Sequence, residues 1–117
     1  MPDGGATNKD GSIIESSINL AIVKKIQNLL ESSNCTVILT RSDENGIYNI
    51  DSKTIKEKKK SDMINRAQIA NTSDAELFIS IHMNKIPQEK YSGWQTFYKE
   101  NDNTSKQVAL NIQNNLN

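Results

Sequence analysis

The stretch IIESSINLAIVKKIQNLLESS, residues 13–33, separated by one residue from CTVILT, residues 35–40, decides the fold class. In the first segment Ile14, Ile18, Ala21, Ile22, Ile26, Leu29 and Leu30 recur at three- and four-residue spacing. That spacing gathers them on one broad apolar stripe and predicts a helix from about Ile13 to Ser32. The second segment is short, rich in β-branched residues and flanked by polar turn formers, which is the pattern of a buried strand.

Working outward, the residues from Arg41 to Ser61 are polar and interrupted, with Asn45-Gly46 as a turn and Lys53, Lys56, Lys58, Lys59 and Lys60 crowded together. They read as a long loop with a solvated basic run. Ser61 or Asp62 can cap a second helix that carries Met63, Ile64, Ala67, Ile69 and Ala70 and closes near Asn71. Then comes AELFISI, residues 75–81, a near-continuous apolar run ending at His82, as expected of a strand covered on both faces. A third strand is expected at SGWQTFY, residues 92–98, and a third helix from Ser105 to Leu116, with Val108, Ala109, Ile112 and Leu116 at helical spacing. The order helix, strand, helix, strand, strand, helix reads as α/β: a three-layer, wound, mostly parallel sheet flanked by helices, in a single domain over 1–117. Such a unit opens on a strand, and none precedes the first helix here, so the expectation is that outer strands are missing from this chain.

Composition removes several classes of function. The 117 residues carry 14 Lys plus Arg against 14 Asp plus Glu, so no global basic field favours sequence-independent nucleic-acid binding. One Cys makes neither an internal disulfide nor a cysteine-rich zinc site, and Cys35, at a strand start, is expected buried and inert. No run approaches the roughly 18 apolar residues of a membrane span, and the opening MPDGGATNKDGS lacks the features of a signal peptide.

The chemistry rests on few residues. His82 stands directly after its strand, where open α/β sheets place their sites, although a lone His is more often a satisfied, partly buried side chain. Glu15 and Asn19 project within or beside the apolar arc of Ile18, Ile22 and Ile26, and a carboxylate aimed inward needs a partner. Two partners fit the spacing. Ser12-Ile-Ile-Glu15 matches a capping box, in which the acid bonds the backbone of the cap residue. Alternatively, a helix-start Glu and a strand-end His converge on Zn²⁺. Arg66 and Arg41 can serve a substrate carboxylate or simply form salt bridges; Asn84, two residues past His82, can bond substrate or shape its loop. Ser80 has no nucleophile elbow, Gly4-Gly5 lacks the lysine and hydroxyl of a phosphate loop, and Trp94 and Tyr98 read as packing residues rather than a sugar platform.

Taken in order, DGGATNKDGSIIESSINLAIVKKIQNLL, VILTRSD, RAQIANTSDAELFISIHMN and SGWQTFY resemble the zinc-dependent N-acetylmuramoyl-L-alanine amidases, the third amidase family of bacterial cell-wall hydrolases. The likeness runs over nearly the whole chain and is strongest to the germination-specific branch of spore-formers. It implies Zn²⁺ as cofactor, Glu15 and His82 as metal ligands, and Asn19, Arg66 and Asn84 as substrate-binding or supporting residues. It implies peptidoglycan as partner and an extracytoplasmic place of action, on the cell wall or spore cortex. The family's remaining zinc His and its catalytic Glu match no position here, the latter being expected beyond Asn117. The resemblance therefore allows a hydrolase fragment acting on the amide between N-acetylmuramic acid and L-alanine, or a non-catalytic peptidoglycan-binding relic of the same fold.

Overall fold

Why the first helix starts where it does is decided by the ten residues before it. In the computed structural model, which describes residues 5–83 and 92–117, these residues fold back on themselves. The backbone of Asn8 donates to the Ile13 carbonyl at 3.2 Å, Thr7 and Ile14 form an antiparallel bridge, and Glu15 N–H donates to the Ala6 carbonyl at 2.9 Å. Asn8 and Asp10 side chains accept from Ile13 and Ser12 N–H and close the turn. Helix α1, Glu15–Ser32, therefore follows an extended Ile14 with no side-chain cap. The capping box, one of the two readings open for Ser12 and Glu15, is not formed; Ser12 Oγ instead accepts from the Asn8 amide. At its other end, Asn34 takes the left-handed conformation at φ 63°. Asn34 N–H donates to Glu31 O and Cys35 N–H to Leu30 O, a Schellman closure.

Helix α2, Ile55–Thr72, is capped by Thr54, seven residues before Ser61, the earliest expected cap, so Lys56, Lys58, Lys59 and Lys60 are helical rather than looped. Its start is a true capping box: Thr54 Oγ1 accepts from Glu57 N–H at 3.1 Å, and the Glu57 carboxylate accepts from Thr54 N–H at 3.2 Å. Ser61 and Asp62, read from sequence as caps, lie inside the helix and hold the preceding loop. Buried Ser61 accepts from Asn49 N–H, while Asp62 accepts from Ile47 N–H at 2.8 Å. Polar side chains rather than an apolar stripe thus fix α2, which is why hydrophobic periodicity did not find its first turns. Lys58 lies over the Tyr48 ring, 5.1 Å from its centroid.

Helix α3, Asn103–Leu116, is capped by Asp102, which accepts from both Ser105 N–H and Ser105 Oγ. The chain divides into two compact units, Met1–Asn84 and Lys85–Asn117. In the second, Gln113 reaches from α3 to the 92–98 segment, donating to Trp94 O and accepting from Thr96 N–H.

The three expected strands are not strands among the described residues, and the three-layer sheet is accordingly not seen there. A buried strand needs neighbours on its edges and cover on its faces, and among the described residues these segments pair with no strand and stay largely exposed. Phe78 is 59% exposed and Phe97 78%, and Trp94, expected to pack, is 57% exposed. Only 37–39 keeps a strand-like alternation, with Ile38 exposed between two half-buried neighbours. Cys35 is also exposed, contrary to expectation, because it follows the helix-closing turn instead of entering a sheet. The buried apolar residues among those described are Leu20 of α1 and Ala109 of α3.

Candidate functional site

Glu15, the first residue of α1, turns its carboxylate inward, and its side chain is only 13% exposed. Both oxygens are engaged. Oε2 accepts from Ala6 N–H at 2.8 Å; Oε1 accepts from Met83 N–H at 3.1 Å and from the Asn19 amide at 3.4 Å. Nδ1 of His82 stands 3.3 Å from the same Oε1. Burial of Glu15 works to raise its pKa, but the backbone N–H groups of Ala6 and Met83, helped by His82 and Asn19, outweigh it and hold the carboxyl below the ordinary glutamate range. The carboxylate is therefore anionic at neutral pH.

The Glu15 and His82 pair has two chemical readings. Lone pairs on Oε1 and Nδ1 repel, so something positive must lie between them: the Nδ1 proton of the appropriate tautomer or protonated ring, or a cation. Two donors bound to one tetrahedral zinc at roughly 2.0–2.1 Å sit about 3.3 Å apart, the separation found here. One imidazole nitrogen and one carboxylate oxygen are also a donor set that zinc accepts. The residues present thus fit the metal that the sequence suggests, as two of its ligands. No group of three or more His, Cys, Asp and Glu side chains able to hold a metal occurs among the described residues.

The structure brings together Glu15, His82 and Asn19, three residues singled out from sequence, across 67 positions of chain. Among the described residues Asn19 Oδ1 is buried without a hydrogen-bond partner, while its Nδ2 donates to Glu15. Arg66 is not brought to this cluster: its guanidinium donates to Asp62 and, at 2.9 Å, to Thr40 Oγ1, tying α2 to the end of the 35–40 segment. Arg41 supports the site indirectly, since it donates to the Ser16 carbonyl in the first turn of α1. Asn84 lies outside the described residues. The sequence reading missed Ala6 and Met83 because both act through backbone N–H groups, which residue identity does not reveal.

The model of the family described as N-acetylmuramoyl-L-alanine amidase matches residues 1–117. The germination-specific N-acetylmuramoyl-L-alanine amidase of Bacillus subtilis (strain 168) is 34% identical over 119 residues, covering 98% of this chain and 49% of that protein. The endolysin of Bacillus phage SPP1 is 31% identical over 100 residues, covering 81% of this chain and 31% of that protein. Among solved structures, the CwlD amidase from Clostridioides difficile in complex with the GerS lipoprotein superposes with a TM-score of 0.91 at 44% identity, covering 96% of this chain and 57% of that one. The chain thus matches the CwlD amidase fold closely and spans about half the length of that solved chain and of the Bacillus subtilis protein.

Proposed function

The chain belongs to the N-acetylmuramoyl-L-alanine amidase family, and we propose that it forms part of a zinc-dependent hydrolase that cuts the amide between N-acetylmuramic acid and L-alanine in peptidoglycan. The observation that carries this reading is the 3.3 Å approach of Glu15 Oε1 and His82 Nδ1, set at the start of a helix and stabilised by two backbone donors. The relative named for germination in Bacillus subtilis supports action on spore cortex, hence outside the cytoplasm. No helix among the described residues is long and apolar enough to cross a membrane. A lipoprotein partner is part of the proposal, because the solved CwlD amidase is in complex with one.

Glu15 and His82 would hold the zinc, and Asn19 would keep the Glu15 side chain in its rotamer. When bound, zinc would polarise the scissile carbonyl and lower the pKa of a bound water to about 7. The chain's own contribution is electrostatic and positional. A carboxylate already ionised by backbone donors is ready to ligate without losing a proton first. The remaining ligand, and the carboxylate that takes the water's proton, are assigned to no described residue. Segments 35–40, 75–81 and 92–98 are proposed as strands of a mostly parallel sheet flanked by helices; the close match to the CwlD amidase fold supports this.

The test is release of peptide from purified muropeptides by the chain alone and by a version extended at both ends with the corresponding segments of the Bacillus subtilis relative. The extended version is expected to cut in the presence of zinc and to lose at least a hundredfold in rate on Glu15→Ala. Full activity in that variant would remove Glu15 from the ligand set.

A further inference from the structure

Gly5 takes φ +68°, a left-handed conformation that glycine adopts without steric cost. A Cβ built on it would collide with Oε2 of Glu15 and would sit 2.9 Å from Glu15 Cδ and 3.1 Å from Glu15 Cβ. The backbone at Gly5 therefore approaches the glutamate so closely that no larger residue fits without moving it. That approach aims the next amide: Ala6 N–H donates to Oε2 at 2.8 Å, while Ala6 O accepts the Glu15 N–H at 2.9 Å. Ala6 thus holds Glu15 at both its backbone and its carboxylate. With Oε2 committed to Ala6, the carboxylate cannot rotate freely, and Oε1 is the oxygen left facing His82 Nδ1.

We propose that Gly5 and Ala6 are positioning residues for the metal ligand Glu15: the glycine admits the close backbone approach, and the Ala6 amide fixes which carboxylate oxygen is presented beside His82. This deepens the zinc reading of the same site and rests on it for its functional meaning. A purely structural tie between the opening segment and α1 would give the same hydrogen bonds without controlling ligation.

Gly11 provides the control that separates the two. It also holds a left-handed conformation, φ +73°, but nothing lies within 4 Å of a Cβ added there. Gly5→Ala and Gly11→Ala therefore carry similar backbone strain, and only the first intrudes on Glu15. Each is made in the 117-residue chain, and two quantities are measured: affinity for zinc ion by titration, and hydrogen-exchange protection of the Met83 amide in the metal-free protein. Loss of a group that orients a metal ligand costs roughly 10–100-fold in affinity. Gly5→Ala is expected to fall in that range and to lower Met83 protection about tenfold, with Gly11→Ala within about twofold of the parent in both. Wild-type behaviour of Gly5→Ala, or equal losses in the two variants, overturns the proposal. If the parent chain binds no zinc, the zinc reading fails by itself, and the exchange comparison still decides whether Gly5 controls the Glu15 carboxylate.

Discussion

Replacing Glu15 by Gln keeps the side chain's shape and removes its charge, and the geometry makes the outcome one-sided. Oε2 faces the Ala6 N–H; Oε1 faces the Met83 N–H and the Asn19 amide. Both backbone groups are fixed donors, so whichever way the Gln amide is turned its NH₂ meets the Ala6 or the Met83 N–H, and a lone pair is offered only on the Oε1 side, by His82 Nδ1 or a turned Asn19 amide. One charge-assisted hydrogen bond, of roughly 1.5–3 kcal/mol, is lost, and a donor faces another donor on a mostly buried side chain. With the side chain 13% exposed, we expect Glu15→Gln to destabilise the metal-free chain by about 2 kcal/mol near neutral pH, and to lower Tm by about 8 °C. The pH dependence follows from the depressed pKa of Glu15, against which burial works but which the Ala6 and Met83 amides enforce. A carboxyl depressed in the folded state contributes stability above its unfolded value of about 4.3, and that contribution disappears as pH falls through the folded-state value. Protonated Glu15 presents a hydroxyl donor where Gln presents an NH₂, so the two proteins should converge in acid. Urea unfolding followed by circular dichroism at about pH 7 and at successively lower pH tests this. A difference below about 0.5 kcal/mol at neutral pH, or one that persists unchanged in acid, would refute the reasoning.

Two further expectations concern the scaffold. Thr54→Ala should cost about 1 kcal/mol because Thr54 caps α2, whereas Ser12→Ala should cost under about 0.5 kcal/mol because Ser12 caps nothing; thermal melts of the two variants compare them directly. Ser61→Ala should cost about 1 kcal/mol by removing the acceptor of the Asn49 N–H in a part-buried contact, and exchange at the Asn49 amide should quicken with it.

The helices were legible to different degrees, and the difference is physical. The apolar stripe of α1 is read directly from spacing, and the structure places that helix within two residues of the expected start. The first turns of α2 are lysines held by a capping box, and a search for apolar periodicity passes over them even though Thr54 and Glu57 stood in the sequence at the right interval. The convergence of Glu15 with His82 was one of two readings left open by residue type and position, and the family resemblance favoured it, since 67 residues of separation carry no local signal. Its fine structure was not legible at all. The Ser12 capping box and the Ala6 contact satisfy the same carboxylate equally well on paper, and the choice between them depends on the backbone angle at Gly5. The expected sheet is not seen among the described residues, because strand pairing is a tertiary property that the pattern of apolar residues in a segment does not fix.

The most direct test of the central claim, that Glu15 and His82 are adjacent ligands of one metal, is calorimetric titration of the metal-free chain with zinc ion beside Glu15→Ala and His82→Ala. The account expects saturable one-to-one binding whose affinity falls at least about tenfold in each variant. Unchanged affinity in either variant would contradict it.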